Sequence, residues 1–134
     1  MNQSTLALES LDIGRQLVDF CWQGKADEAI DALYAPDVVS IEAKDCADCG
    51  PARREGIAAK RAKAAWWNDN HIIHKTEVSG PWPHADRFIV RFNYELTPKL
   101  GPMAGKRMRL EEAGLYTVRD GKIVQEEFFY HMGE

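Results

Sequence analysis

Apolar residues recur at helical spacing in the first half of this chain and alternate with polar ones in the second half. From Leu6 to Trp22, Leu11, Val18 and Trp22 share a face flanked by Ile13, Leu17 and Phe20, which predicts a helix closed by Gly24. Ala26, Ala29, Ile30, Leu33 and Tyr34 form the stripe of a second helix, and Pro36 is expected to end it because proline cannot continue the backbone ladder. Val38 to Glu42 reads as a short β-branched strand, followed by a polar loop carrying Asp45, Asp48, Gly50 and Pro51. A third helix is expected from about Arg54 to Trp67, with Ala58, Ala62, Ala65 and Trp66 as a small-residue face lying close to a sheet.

Beyond Asn70 the period changes to two. His71 to Val78 reads as a strand stopped by Gly80-Pro81, and Phe88, Val90, Phe92, Tyr94 and Leu96 alternate with polar residues, the mark of a half-buried strand. A loop from Pro98 to Gly105 precedes a strand from Met108 to Val118. Asp120-Gly121 is a two-residue hairpin signal, and a last strand runs from Lys122 to His131. Grouped helices followed by a meander indicate an α+β fold, with three helices on one face of a bent, mostly antiparallel sheet. Such an arrangement leaves a conical space, where small-molecule sites tend to form.

At 134 residues the chain has the length of a single domain, 1–134. Its net charge of −4 and scattered basic residues argue against a nucleic-acid partner, since phosphate binding needs a concentrated basic face. No run approaches the roughly 20 apolar residues that span a bilayer, and the N-terminus has no signal-peptide pattern. With an odd cysteine count, these features lead us to expect reduced thiols and a cytoplasmic protein without a membrane partner. Cys46-Ala47-Asp48-Cys49 has CxxC spacing, but no second pair of ligands accompanies it, so it reads as a loop pair and not as a zinc or redox site. The four histidines make no metal set; His71 and His74, three apart on a strand, point to opposite faces.

The segment Ala32-Leu33-Tyr34-Ala35-Pro36-Asp37-Val38-Val39-Ser40-Ile41-Glu42, the late Asp120-Gly121-Lys122-Ile123-Val124 and the order of elements resemble the nuclear transport factor 2-like, or SnoaL-like, superfamily. That group includes polyketide cyclases, ketosteroid isomerases, limonene epoxide hydrolases, scytalone dehydratases and non-catalytic members. The resemblance implies a cystatin-like cone, three N-terminal helices packed on a curved, mostly antiparallel sheet, and commonly a homodimer. Laid without gaps on the ketosteroid isomerase pattern, Glu42 falls where that family keeps its carboxylate base. Gly114 falls where it keeps an oxyanion-binding acid, a role that glycine has no side chain to fill.

Acid–base chemistry needs a carboxyl whose environment lets it exchange a proton near neutral pH. The catalytic candidates are Glu42, Glu112 and Glu127, each with the alternative of a solvated glutamate. Tyr34, Trp66, Phe92, Tyr116, Phe129 and His131 are the candidate walls and mouth of a pocket for a small hydrophobic molecule. A regular turn at Asp120-Gly121 pairs Val118 with Ile123 and puts Ile123, Gln125, Glu127, Phe129 and His131 on one face. A turn one residue longer substitutes Val124, Glu126, Phe128 and Tyr130, and both registers stand open at this point. Two functions follow: cofactor-free acid–base chemistry on a small hydrophobic carbonyl or cyclic substrate, or a non-catalytic ligand-binding or accessory dimer of the same fold. A buried carboxyl pair facing one cavity distinguishes them, and a filled cone would indicate a structural module instead.

Overall fold

The computed structural model describes residues 3–131. In chain order the elements are α1 (Gln3–Trp22), α2 (Ala26–Leu33), β1 (Tyr34–Ile41), β2 (Arg53–Glu55), α3 (Ile57–Asn70), β3 (His71–His84), β4 (Arg87–Pro98), β5 (Met108–Arg119) and β6 (Lys122–Phe129). The six strands form one sheet ordered β2-β1-β6-β5-β4-β3. Neighbours run antiparallel except β1 and β6, which run parallel. No helix among the described residues is long and apolar enough to cross a membrane.

The core lies between α1 and α2 and one face of the sheet. Leu17, Ile30 and Leu33 from the helices meet Val78, Phe88, Val90, Phe92, Tyr116, Val118 and Ile123 from the strands. Phe88 and Tyr116 stack across β4 and β5 at 4.9 Å. Each such side chain contributes about 1.5–3 kcal/mol by leaving water. Gly14 lets α1 lie against β3, since a Cβ there would sit 2.6 Å from Pro81 Cβ. Two polar contacts fix the same helix to strand ends: Ser10 Oγ donates to the Ala85 carbonyl at 2.8 Å, and Gly121 N–H donates to Glu9 at 2.7 Å.

Several boundaries differ from expectation. Tyr34 is not on the second helix; it caps α2 in extended conformation and begins β1. Pro36 disfavours helical geometry in the residue before it, so the chain straightens ahead of the proline. The register of β1 against β6 then slips between Tyr34 and Val39, where Pro36 has no N–H to give. The expected strand before the third helix is present as β1, and a second strand joins it there. The charged segment Arg53–Glu55, which lacks alternation, pairs with Val39–Ile41 as β2, and α3 begins only after Gly56 turns at φ 91°. β3 does not stop at Gly80-Pro81; it bulges there and continues to His84.

Two corrections bear directly on the site. Ala58, Ala62 and Ala65 are exposed, while Ile57, Lys60, Lys63, Ala64 and Trp67 of α3 are partly buried. The last hairpin has the expected turn, with Asp120 and Gly121 both at positive φ and Val118 opposite Ile123. A bulge follows at once, so Tyr116 faces Glu126 and Gly114 faces Phe128. One extra residue reverses the sidedness of everything after it. Glu126 has no exposed surface, whereas Phe129 is 54% exposed.

Candidate functional site

Between the helices and the concave face of the sheet lies a cavity of about 370 Å³, within the range of small-molecule sites. Leu17, Ile30, Phe92, Tyr94, Tyr116 and Phe128 contribute apolar walls, and Trp66 and Trp67 line it from α3. Polar side chains from β1, β5, β6 and α3 enter the same space.

Period two places Val38, Ser40 and Glu42 on the inward side of β1, so Glu42 shares a face with Ser40 and not with Val39 and Ile41. Glu126 projects from β6 beyond the bulge. Its carboxylate accepts hydrogen bonds from Tyr34 Oη and Ser40 Oγ, each at 2.5 Å, and pairs with Lys60 Nζ at 2.8 Å. Ser40 Oγ in turn accepts from Lys63 Nζ at 2.6 Å. Lys63 also pairs with Glu42, to which Tyr130 Oη donates at 2.9 Å. A continuous chain therefore runs from Tyr130 through Glu42, Lys63, Ser40 and Glu126 to Tyr34 and Lys60.

Glu112 lies inward on β5 opposite Phe92, and among the described residues no ion pair reaches it. Burial pushes its carboxyl up to about 8, and the negative charge of Glu42 adds to the effect against the pull of Lys63 and Lys60. Burial also opposes the charge of Glu126, but the attraction of Lys60 and Lys63 and the hydrogen bonds from Lys60 and Ser40 together hold it below the usual carboxylate range. The ammonium of Lys63 is held below its ordinary value by burial, which outweighs the opposing charges of Glu126 and Glu42, with a smaller contribution from Lys60. The Tyr34 hydroxyl is pushed well up by burial and then by the charge of Glu126. One cavity thus holds a neutral carboxylic acid, two ion-paired carboxylates and two lysines.

Of the residues expected from sequence, Glu42, Glu112, Tyr34, Trp66, Phe92 and Tyr116 line this cavity. Glu127, Phe129 and His131 do not. The bulge turns Glu127 and Phe129 to the convex face, where Glu127 accepts from Gln125 Nε2 at 2.6 Å, and His131 is exposed beyond the end of β6. Gly114 has no room for a side chain, because a Cβ there would lie 2.7 Å from Tyr116 Cε1. A carboxyl group stands two residues earlier on the same face, at Glu112.

Sequence reasoning missed Ser40, Lys60, Lys63, Glu126 as an inward residue of certain register, and Tyr130 as a partner of Glu42. The spacing of Ile57, Lys60, Ala64 and Trp67 follows one helical face and carried the signal for Lys60. Cys46 and Cys49 are joined by a disulfide, which corrects the expectation of reduced thiols for this pair; Cys21 is free. Cys46 and Gly50 exchange backbone hydrogen bonds, and Arg54 ties the loop to the Cys49 carbonyl. Among the described residues, no three His, Cys, Asp or Glu side chains converge as metal ligands.

The family model described as the SnoaL-like domain matches residues 8–130. A crystal structure of a candidate SnoaL-like polyketide cyclase from Mesorhizobium loti, also described as a carbohydrate phosphatase, is 38% identical, with a TM-score of 0.80 over 89% of this chain and 97% of that one. A candidate SnoaL-like polyketide cyclase from Jannaschia is 16% identical over 98% of this chain and 92% of its own, with a TM-score of 0.69. A candidate isomerase from Bacillus subtilis is 19% identical over 98% and 90%, also with a TM-score of 0.69. The last two likenesses concern the fold alone. No curated protein matches the sequence.

Proposed function

Because this chain belongs to the SnoaL-like domain family, we propose that it performs cofactor-free acid–base chemistry on a small hydrophobic carbonyl or cyclic compound. The observation that carries this reading is the carboxyl pair Glu42 and Glu112, which face one cavity in different electrostatic settings. Glu112 keeps its proton up to about pH 8 and can donate a hydrogen bond to a carbonyl oxygen. Glu42, oriented by Tyr130 and Lys63, is the proton acceptor next to that carbonyl. Negative charge developing on the oxygen is met by an acid already in place among apolar walls. Tyr34, Trp66, Phe92 and Tyr116 shape the space around the substrate. Sites that divide acid and base roles in this way place two titratable groups in environments that separate their protonation states.

The test is α-proton exchange of a cyclic ketone such as β-tetralone in deuterated water, followed by NMR. Exchange catalysed by the protein should fall about 100-fold in Glu42→Gln and comparably in Glu112→Gln, with ketone binding little changed. Binding of the ketone without Glu42-dependent exchange would replace this reading with that of a non-catalytic binding protein.

A further inference from the structure

Lys60 and Lys63 lie three residues apart on α3 and therefore on one face. Both are withdrawn from solvent, with side chains 13% and 14% exposed, while Ala58, Ala62 and Ala65 of the same helix face water. Lysine ordinarily carries its charge outward along a flexible stem, so a helix with alanines outside and lysines inside is arranged against its own solvation.

The two lysines are not equivalent. Lys60 is bound to Glu126, which also accepts hydrogen bonds from Tyr34 and Ser40. Lys63 has the Ser40 hydroxyl oxygen and Glu42 as partners, and its Nζ lies 4.7 Å from the centre of the Phe128 ring, inside the cavity. Desolvation and a neighbouring cation are the two settings that make a lysine a usable amine; Lys63 has both, and burial outweighs the opposing charges of Glu126 and Glu42. Glu42 stands in contact to take its proton, and Glu112 carries a proton into the same space.

We propose that Lys63 is an imine-forming nucleophile, whose Nζ condenses with the carbonyl carbon of a ketone or aldehyde held in the cavity. This rests on the reading of the cavity as a carbonyl site and adds a covalent step that reading does not require. Glu42 accepts one proton from the Lys63 ammonium. The free amine adds to the carbonyl carbon, and a proton passes from nitrogen to the former carbonyl oxygen. Glu112 then protonates that hydroxyl, which leaves as water while the nitrogen lone pair forms the carbon–nitrogen double bond. The result is a protonated imine on Lys63, a protonated Glu42 and an ionised Glu112, with charge and hydrogen count unchanged. The iminium draws electrons from the adjacent carbon and so acidifies the α-proton.

Incubation of the full chain with β-tetralone and sodium cyanoborohydride near neutral pH tests this, with adducts mapped by peptide mass spectrometry. The expected result is an adduct concentrated at Lys63, lost in Lys63→Arg and retained in Lys60→Arg, which keeps the neighbouring charge. The wild-type map alone decides the question if either variant fails to fold. Absence of an adduct at Lys63, or labelling confined to exposed lysines such as Lys75, overturns the proposal. If α-proton exchange persists without a Lys63 adduct, the imine is excluded and the acid–base reading stands. An adduct at Lys63 without Glu42-dependent exchange supports the imine and removes the acid–base reading.

Discussion

A carboxylate with no exposed surface, such as that of Glu126, stays charged in a fold only when its partners outweigh the lost hydration. Tyr34, Ser40 and Lys60 all contact it, and removing it leaves Lys60 without its counter-ion. Glu126→Gln is expected to cost about 3–5 kcal/mol at neutral pH, measured by urea unfolding. Its folded pKa lies below the unfolded value near 4.5, so the ionised group stabilises the fold above that pH. The stabilisation is lost as pH falls through the lower folded value, and the gap between wild type and variant should narrow there. Glu112 behaves in the opposite sense. Its unfolded form loses the proton near 4.5 and its folded form near 8, so its contribution to stability declines as pH rises between those values. Glu112→Gln should therefore be more stable than wild type above pH 8, on the order of 5 kcal/mol, with the difference vanishing toward pH 4.5. A thermal-melt series across pH checks this. Catalysed α-proton exchange by the wild type should also fall above pH 8, where the acid is spent.

At the scale of elements, β5 and β6 determine which glutamates the cavity receives. Adjacent positions on β6 should respond very differently: Glu127→Gln, on the convex face, should change stability by no more than about 0.5 kcal/mol, in contrast to Glu126→Gln. On β5, Gly114→Ala must displace the Tyr116 ring, which stacks on Phe88 in the core. The expected cost is about 1–3 kcal/mol, with ketone binding weakened because Tyr116 lines the cavity. Chemical denaturation and a binding titration on the same variant measure both effects. The turn at Asp120-Gly121 was legible because two adjacent residues at positive φ need that chemistry. The bulge immediately after it was not, since Ile123, Val124, Gln125 and Glu126 read equally well in either register. α3 was legible as a helix but not in its facing, because three alanines and a tryptophan look more apolar than a stripe carrying two lysines.

For the whole molecule, the convex face of the sheet remains to be covered. Ile89 is 42% exposed, and Trp82 and Phe129 are each 54% exposed; β-pairing sets Trp82, Ile89 and Leu115 in one row. We expect a homodimer through this face, because a contiguous apolar area of that kind favours a partner over water. Sedimentation at micromolar concentration should give a dimer, and Ile89→Arg should give a folded monomer; a wild-type monomer would contradict the expectation. The sequence left Glu42 and Glu112 only as candidates, and determined the α+β class and the order of the major helices and strands. Class and order depend on hydrophobic period, turn residues and alternation along a strand, all of them local properties. Only the tertiary structure decided that Glu126 points inward, that two lysines accompany it, and that Gly114 leaves its place to a tyrosine ring. Burying a charge is acceptable only where partners distant in the chain converge on it, and Glu126 meets residues 86 and 92 positions away. No local pattern along β6 carries that information.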